Sequence, residues 1–341
     1  MPAERNATVR DVAARAGVSL STVSNVLNRP DRVSPATLRR VRQAIDEVGF
    51  VRNDAARALR LGESQAVGIV LSEATSPFYA EVARAASVRL AASGMSALIG
   101  SAGHDAATAD RLTELFESQR VRGLLVNPLG PVSDALASAK RRGIPIVHVD
   151  GAASWPGGCS VSTGHRAGGR MAVEHLRALG RSRIALVRGP IELPQISLRM
   201  DGSRDACERL GLACEEIVAS TYFVKGGMEA GAVIASRGVN ERPDGVFAAN
   251  DILAMGVVAA LMERQVDVPS DVAVVGYDDT DFALAARVPL TTIRQPAADI
   301  GTRAATLLIE EITRDLGHRH ENTLFRPELV ARASTLGESG P

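Results

Sequence analysis

Apolar residues recur at helical spacing up to Gly49 and in short blocks from Ala66 onward, so the pattern divides the chain into a small helical head and a longer body of alternating strands and helices. Val9, Val12, Ala13 and Ala16 share one helix face. Thr8 is a good capping residue before them, and Gly17 supplies the left-handed residue that ends such a helix. Ser19 opens a second helix that buries Val23, Val26 and Leu27 and leaves Leu20, Ser21, Thr22, Ser24 and Asn25 near its exposed N-terminal end. Ser34-Pro35 starts a third helix, with Leu38, Val41, Ile45 and Val48 as its apolar stripe and Gly49 at its end. The following stretch, 50–60, is basic and helix-prone with Asn53 as a cap, but too brief to hold a helix without packing partners.

Beyond this point the pattern predicts strands over 66–71, 97–100, 123–127 and 145–149, alternating with helices over 78–92, 106–118 and 133–142. A second series has strands over 184–188, 246–248 and 272–276, with helices over 167–179, 198–210, 226–236 and 251–263. A long helix over 296–314 and a closing strand over 324–330 complete it. This alternation is the mark of parallel βαβ units, whose ligands sit beyond the carboxyl ends of the strands. The expected organisation is a head of 1–50, a linker of 51–62 and a body of 63–341. Its lobes are expected at about 63–150 plus 297–320, and 151–296 plus 321–335.

Charge sharpens the division. Through Gly62 there are eleven arginines against six acidic residues, while the whole chain sums to zero, so the head is basic and the body acidic. Such a head suits a polyanion and should bind it less tightly as salt rises. Two short helices joined at a glycine turn present side chains to a major groove, although an ordinary helical hairpin has the same turn. A small-molecule sensor whose basic head contacts another protein is the alternative, and a weak salt dependence would distinguish it.

Enzyme chemistry finds little support. There is no Gly-x-Ser-x-Gly elbow, P-loop or Gly-x-Gly-x-x-Gly fingerprint, and Lys140 and Lys225 are the only lysines. His318-Arg-His320, beside a helix end, reads as a complement to the helix dipole, so neither a metal nor a cofactor is expected. Cys159, Cys207 and Cys214 lack a metal spacing and fit a reducing, cytoplasmic setting. Without an apolar run long enough to cross a bilayer or an apolar N-terminal stretch, neither membrane insertion nor secretion is expected.

The helix-turn-helix, Val33-Ser34 and Asn53-x-x-Ala56-Arg57-x-Leu59 resemble the lactose-repressor (LacI/GalR) family of bacterial transcription regulators. So do Asn250-Asp251-x-x-Ala254-x-Gly256 and Gly276-Tyr277-Asp278, and the resemblance spans essentially the whole chain. It implies an all-α helix-turn-helix DNA-binding head plus an α/β two-lobed periplasmic-binding-protein-like core. It further implies a homodimeric repressor on a near-palindromic double-stranded DNA operator, with a sugar or sugar derivative as effector between the lobes. Leu20, Ser21 and Asn25 match base-reading positions. Asn suits an adenine edge and Leu a thymine methyl. Thr8, Ser19, Thr22 and Asn28 are the expected DNA-backbone contacts. Asn53, Ala56, Arg57 and Leu59 match a hinge helix, with Leu59 as the wedge in the minor groove. Arg52 stands where the family usually has proline.

For the effector, Ser76-Pro77-Phe78-Tyr79-Ala80-Glu81 resembles an Asn-Pro-Phe-Phe/Tyr-x-Glu motif, and Gln195, Arg199, Phe223, Asn250 and Asp278 match ligand-contact positions. An Arg fork suits hydroxyls or a carboxylate, and Asp278 can accept two hydroxyl hydrogen bonds. Trp155, the only tryptophan, sits in a Pro/Gly-rich loop and is expected to cover the cleft. Plain packing explains Phe78 and Tyr79 equally well, and Asn250 and Asp251 equally suit a helix start. Gly164 stands where the family often has Asp, which removes a polar contact. The tail 331–341 has no leucine heptads, so the expected assembly is a dimer.

Overall fold

Side-chain caps set the three head helices. Helix α1 (Val9–Ala16) opens on a reciprocal pair: the Asp11 amide donates to Thr8 Oγ1 (3.4 Å) and the Thr8 amide to Asp11 Oδ2 (2.7 Å). Ser19 Oγ accepts from the Thr22 amide at the start of α2 (Leu20–Asn28), and Ser34 Oγ from the Thr37 amide at the start of α3 (Pro35–Val48). Gly17 and Gly49, both at φ 62°, end α1 and α3 in the left-handed region where a Cβ would be strained. Val12, Ala13, Ala16, Val23, Val26, Val41 and Ala44 fill the core between the helices. So small a core leaves much of the head's stability to its caps, each worth about 1 kcal/mol.

The structure, a computed structural model, describes residues 7–50, 64–152, 155 and 157–337, in two compact units that divide after Ser64. Arg52, Asn53, Ala56, Arg57 and Leu59 lie outside the described residues.

The second unit contains two sheets. The first is parallel throughout, in the order β11-β5-β4-β3-β1-β2. Its strands are β1 (Ala66–Leu71), β2 (Ser96–Ser101), β3 (Leu124–Val126), β4 (Ile146–Val149), β5 (Cys159–Thr163) and β11 (Asn322–Phe325). Helices α4 (Pro77–Ala91), α5 (Ala106–Ser118), α6 (Asp134–Arg141) and α12 (Ala297–Thr313) accompany it. The second sheet has the order β12-β10-β9-β8-β6-β7. It is built from β6 (Arg183–Arg188), β7 (Ala213–Val218), β8 (Gly245–Ala248), β9 (Ala273–Asp278), β10 (Thr291–Arg294) and β12 (Glu328–Val330), with only β12 antiparallel. Its helices are α7 (His165–Ala178), α8 (Pro194–Leu210), α9 (Val224–Ala235), α10 (Asp251–Glu263), α11 (Asp281–Ala285) and α13 (Ala333–Leu336).

These memberships correct the expected lobe boundaries. Residues 159–163 and 322–325 belong to the first sheet, so the chain crosses between lobes after Thr163, after Arg294 and after Phe325. Strand β5 escaped the pattern because Cys-Ser-Val-Ser-Thr is half polar, yet all five residues are buried; Ser160 Oγ donates to Asn322 Oδ1 (2.7 Å), which satisfies its hydroxyl inside the sheet. The single closing strand over 324–330 is in fact two, one per sheet, separated at Arg326-Pro327, where proline has no amide to donate. Strands β7 and β10 were also missed; β7 is an edge strand of mixed exposure, and β10 begins with two threonines.

Helix α8 packs tightly on α7 through glycines. A Cβ at Gly202 would lie 1.9 Å from the Arg166 carbonyl oxygen, and one at Gly169 would lie 1.9 Å from that of Arg199. The C-terminal end of α8 is joined to β7 by a disulfide between Cys207 and Cys214, two residues that the sequence reading leaves as separate thiols. Among the described residues, no helix is long and apolar enough to cross a membrane.

Candidate functional site

In the head, Leu20, Ser21, Asn25 and Asn28 are exposed on α2, while Val23 and Val26 anchor its opposite face. Thr22 is half-buried and Thr8 and Ser19 are exposed at the starts of their helices. Ser19 Oγ lies 2.7 Å from Ser21 Oγ and 2.8 Å from Thr22 Oγ1, a knot of hydroxyls at the positive end of the helix, where anionic oxygens are favoured. Asn28 Nδ2 donates to the Ser24 carbonyl (2.8 Å), so a phosphate contact from Asn28 requires its side chain to turn outward.

In the second unit, a cavity of about 280 Å³ is bounded by residues of both sheets' lobes. Phe78, Tyr79, Gln195, Arg199, Phe223, Asn250 and Asp278 all line it, as the sequence led us to expect. Trp155 does not. Because β4 and β5 are parallel, the loop between them must return to the opposite edge of the sheet, and there the Trp155 ring packs on His148 (4.8 Å) beneath Lys140 Nζ (4.0 Å).

The polar wall rests on Arg199, which is 3% exposed. Its Nη1 donates to the Ala249 carbonyl (2.7 Å) and lies 3.5 Å from Asp278 Oδ1, its Nε donates to His165 Nδ1 (3.3 Å), and its guanidinium stacks 3.8 Å from the Tyr277 ring centre. Asp278 also accepts from Gln295 Nε2 (2.7 Å), with its backbone at φ 112°. Burial and the nearby Asp251 push the Asp278 carboxyl well above the usual carboxylate range, with Arg199 opposing them.

Behind this wall lies a relay that spacing alone did not reveal. Tyr79 Oη donates to Asp150 Oδ2 (2.8 Å), Gln195 Nε2 donates to Tyr79 Oη (3.0 Å), and His165 Nε2 stands 3.0 Å from Asp150 Oδ1. Burial lowers the His165 pKa, so its neutral form, with the proton on Nε2 facing Asp150 and the bare Nδ1 facing Arg199, suits every partner. Burial raises the Asp150 carboxyl, but His165, Arg199 and Tyr79 outweigh it and hold it low. Asp150 directly follows β4, and His104, a cavity residue, lies just beyond β2; both were findable by the strand-end rule. Tyr222, which packs 5.3 Å from His104, and Phe282 complete the aromatic lining.

Not every lining residue is free to bind. Asn250 Oδ1 accepts from the Leu253 amide (2.8 Å) as the cap of α10, and its Nδ2 donates to the Tyr222 carbonyl (3.3 Å). Asp251 accepts from the Thr280 amide (2.9 Å) and Thr292 Oγ1 (2.6 Å), which ties the start of α10 to the segment after β9 and to β10. Gln195 lines the cavity, and its Oε1 is buried without a hydrogen-bond partner.

Residues 8–53 match the family profile described as bacterial regulatory proteins, lacI family, and residues 173–335 match a periplasmic binding protein-like domain. The chain is 34% identical over 331 residues to the ribose operon repressor of Escherichia coli K12, covering 96% of this chain and 99% of that one. The lac repressor dimer bound to operator and the anti-inducer ONPF superposes with a TM-score of 0.78 at 29% identity, covering 97% of this chain and 100% of that one. The transcriptional regulator CelR–cellobiose complex gives a TM-score of 0.70 at 30% identity, with 96% and 100% covered.

Proposed function

The chain belongs to the lacI family of bacterial regulatory proteins, and from that premise we propose that it is a cytoplasmic, dimeric repressor released from or recruited to its operator by a small polyhydroxylated effector. The head is the reader. Leu20, Ser21 and Asn25 meet base edges, while Thr8, Ser19, Thr22 and Asn28 meet phosphates. The linker 51–62 carries Asn53, Ala56, Arg57 and the wedge residue Leu59. Relatives include a lac repressor dimer on operator, which supports a twofold arrangement and a near-palindromic site.

A sugar or sugar derivative is the effector class that the cavity supports best. The observation that carries this reading is the buried Arg199–Asp278 pair lining, with Gln195, a cavity that has aromatic walls. Phe78, Tyr222 and Phe223 offer faces for the apolar side of a sugar ring, while the pair and the glutamine answer hydroxyls. The volume lies near the lower end for small-molecule sites, roughly 300–1,000 Å³, and favours a monosaccharide over a longer saccharide. A CelR relative is seen with cellobiose. The effector acts by preferring one lobe arrangement, with a coupling of about 1–3 kcal/mol typical for such linkage.

Fragments of the source genome retained by the purified protein at moderate salt, followed by calorimetry with pentoses, hexoses and their phosphates, test both halves. Enrichment of a palindrome and binding of a monosaccharide that shifts operator affinity are expected. No enriched site with or without the sugars, or unchanged sugar affinity in Asp278→Ala, overturns the reading.

A further inference from the structure

His318 and His320 do not simply complement a helix end. They converge with two residues distant in sequence: Cys159 at the start of β5 and Glu311 in the last turn of α12. The four donor atoms lie within 4.8 Å of one another. Cys159 Sγ is 3.6 Å from His318 Nε2 and 3.5 Å from His320 Nδ1; Glu311 Oε1 is 3.7 Å and 3.5 Å from the same two nitrogens.

These separations have a natural centre. A tetrahedral zinc ion with Zn–S near about 2.3 Å and Zn–N or Zn–O near about 2.1 Å sets ligand-to-ligand edges of about 3.6 Å from sulfur to nitrogen and about 3.4 Å between the lighter atoms. Four of the six edges lie within about 0.3 Å of these values, and the other two, Cys159 to Glu311 and His318 to His320, stay within 4.8 Å. The imidazole rings stand nearly perpendicular (89°, centres 5.0 Å apart), as two histidines sharing one centre often do. His318 Nδ1 faces Glu310 Oε2 at 3.0 Å, the carboxylate partner that places the proton on Nδ1 and frees Nε2 toward the cluster. Glu311 Oε1, on the cluster side, is buried and makes no hydrogen bond.

We propose that Cys159, His318, His320 and Glu311 form a zinc site that ties the loop after α12 to the start of β5. The mixed thiolate, imidazole and carboxylate donors select zinc over magnesium or calcium, which prefer all-oxygen shells. All four side chains enter the tetrahedron, so the site is structural, with no position left open for substrate. It lies at the amino-terminal edge of the first sheet, away from the cavity at the carboxyl ends of the strands, and does not depend on the effector reading.

The test uses tag-free full-length protein carrying Cys207→Ser and Cys214→Ser, so that Cys159 is the only thiol. Titration with Zn2+ against a chromogenic chelator should give one site per chain, with no competition from millimolar Mg2+. Co2+ loading should show thiolate-to-cobalt charge transfer and the intense visible bands of a tetrahedral complex. His320→Ala removes a half-exposed ligand that the fold does not need. It should weaken zinc binding at least tenfold with an unchanged circular dichroism spectrum, and Glu310→Gln should weaken it about 10–100-fold. Failure of the parent protein to take up Zn2+ at micromolar concentration overturns the proposal. So does Co2+ binding without charge transfer, or a folded His320→Ala protein with parental affinity.

Discussion

Replacing Arg199 with methionine probes the electrostatics of the cavity wall. Methionine retains much of the side-chain volume, so cavity formation contributes little and the loss is chiefly of charge and hydrogen bonds. The variant forfeits the bond to the Ala249 carbonyl, the stacking on Tyr277 and the cation 3.5 Å from Asp278. Removing one partner of a buried pair costs about 3–5 kcal/mol when the other must stay charged. Asp278 need not stay charged, because burial already holds its pKa above that of an aspartate in the unfolded chain. A folded state that retains the proton more strongly loses stability as pH rises between the unfolded and folded pKa values. Arg199 holds the folded value down, so its removal extends that window upward, and each added pKa unit costs about 1.4 kcal/mol at pH above it. Asp150, which Arg199 also holds low, moves in the same direction. Urea unfolding followed by circular dichroism should therefore show a deficit of about 2–3 kcal/mol at pH 6 that grows by about 1 kcal/mol or more at pH 9.5, above the parent Asp278 pKa of about 8. A deficit below 1 kcal/mol, or one equal at the two pH values, would refute the assignment of Arg199 as the charge that compensates Asp278.

Gly202→Ala drives a Cβ into the Arg166 carbonyl and should cost about 2–3 kcal/mol or more in the same unfolding assay, whereas Gly130→Ala, with nothing within 4 Å of its Cβ, should stay near the parent. Asn25→Ala should weaken operator binding by about 1–3 kcal/mol and relax preference at one base pair, with the log–log salt slope unchanged; a changed slope in filter-binding titrations would mean that Asn25 meets phosphate instead. Leu59→Ala should bind operator more weakly and bend it less by gel mobility of permuted fragments, and parental bending would remove the wedge from the mechanism.

The parts of this fold that were legible in the sequence are those written in local patterns. Caps at Thr8, Ser19 and Ser34 and glycines at 17 and 49 determine the head, because a helix end is settled by its neighbours in the chain. Apolar runs such as Ala66–Leu71 likewise mark buried central strands. What failed depended on partners far away. Strand β5 is buried but half polar because Asn322 receives the Ser160 hydroxyl, and no window around Ser160 contains Asn322. Cys159 and His318, 159 positions apart, become neighbours only because β5 and β11 are adjacent and parallel. Trp155 was misjudged for a related reason: a parallel β4–β5 pair obliges its loop to run back along the sheet, a constraint invisible until β5 is recognised as a strand. In the cavity, positions matching family motifs came together, while the charge relay through Asp150 and His165 depends on a tyrosine from α4 and a glutamine and an arginine one turn apart on α8.

That relay also bears on how a cavity ligand can move the lobes. The buried apolar clusters segregate by sheet: one comprises residues between Ala172 and Ile293, and the others residues before His165 together with Ile300–Ile309. Hydrophobic stabilisation is therefore largely internal to each lobe and is retained when one lobe turns against the other. Among the contacts between the lobes are polar ones, the hydrogen bond from Gln195 to Tyr79 and the 3.0 Å approach of His165 to Asp150. Polar contacts exchanged for water or for ligand hydroxyls cost about 0.5–1.5 kcal/mol each, a range comparable to allosteric coupling energies, whereas disrupting a mixed apolar core would cost several times more. A sugar that competes for Gln195 would thus act on one of the groups that join the lobes. Substituting Tyr79 with phenylalanine, which keeps the ring in its packing but deletes the hydroxyl shared by Gln195 and Asp150, should change the effector's influence on operator affinity more than it changes core stability. Parental coupling in that variant would mean that the lobes communicate by another route.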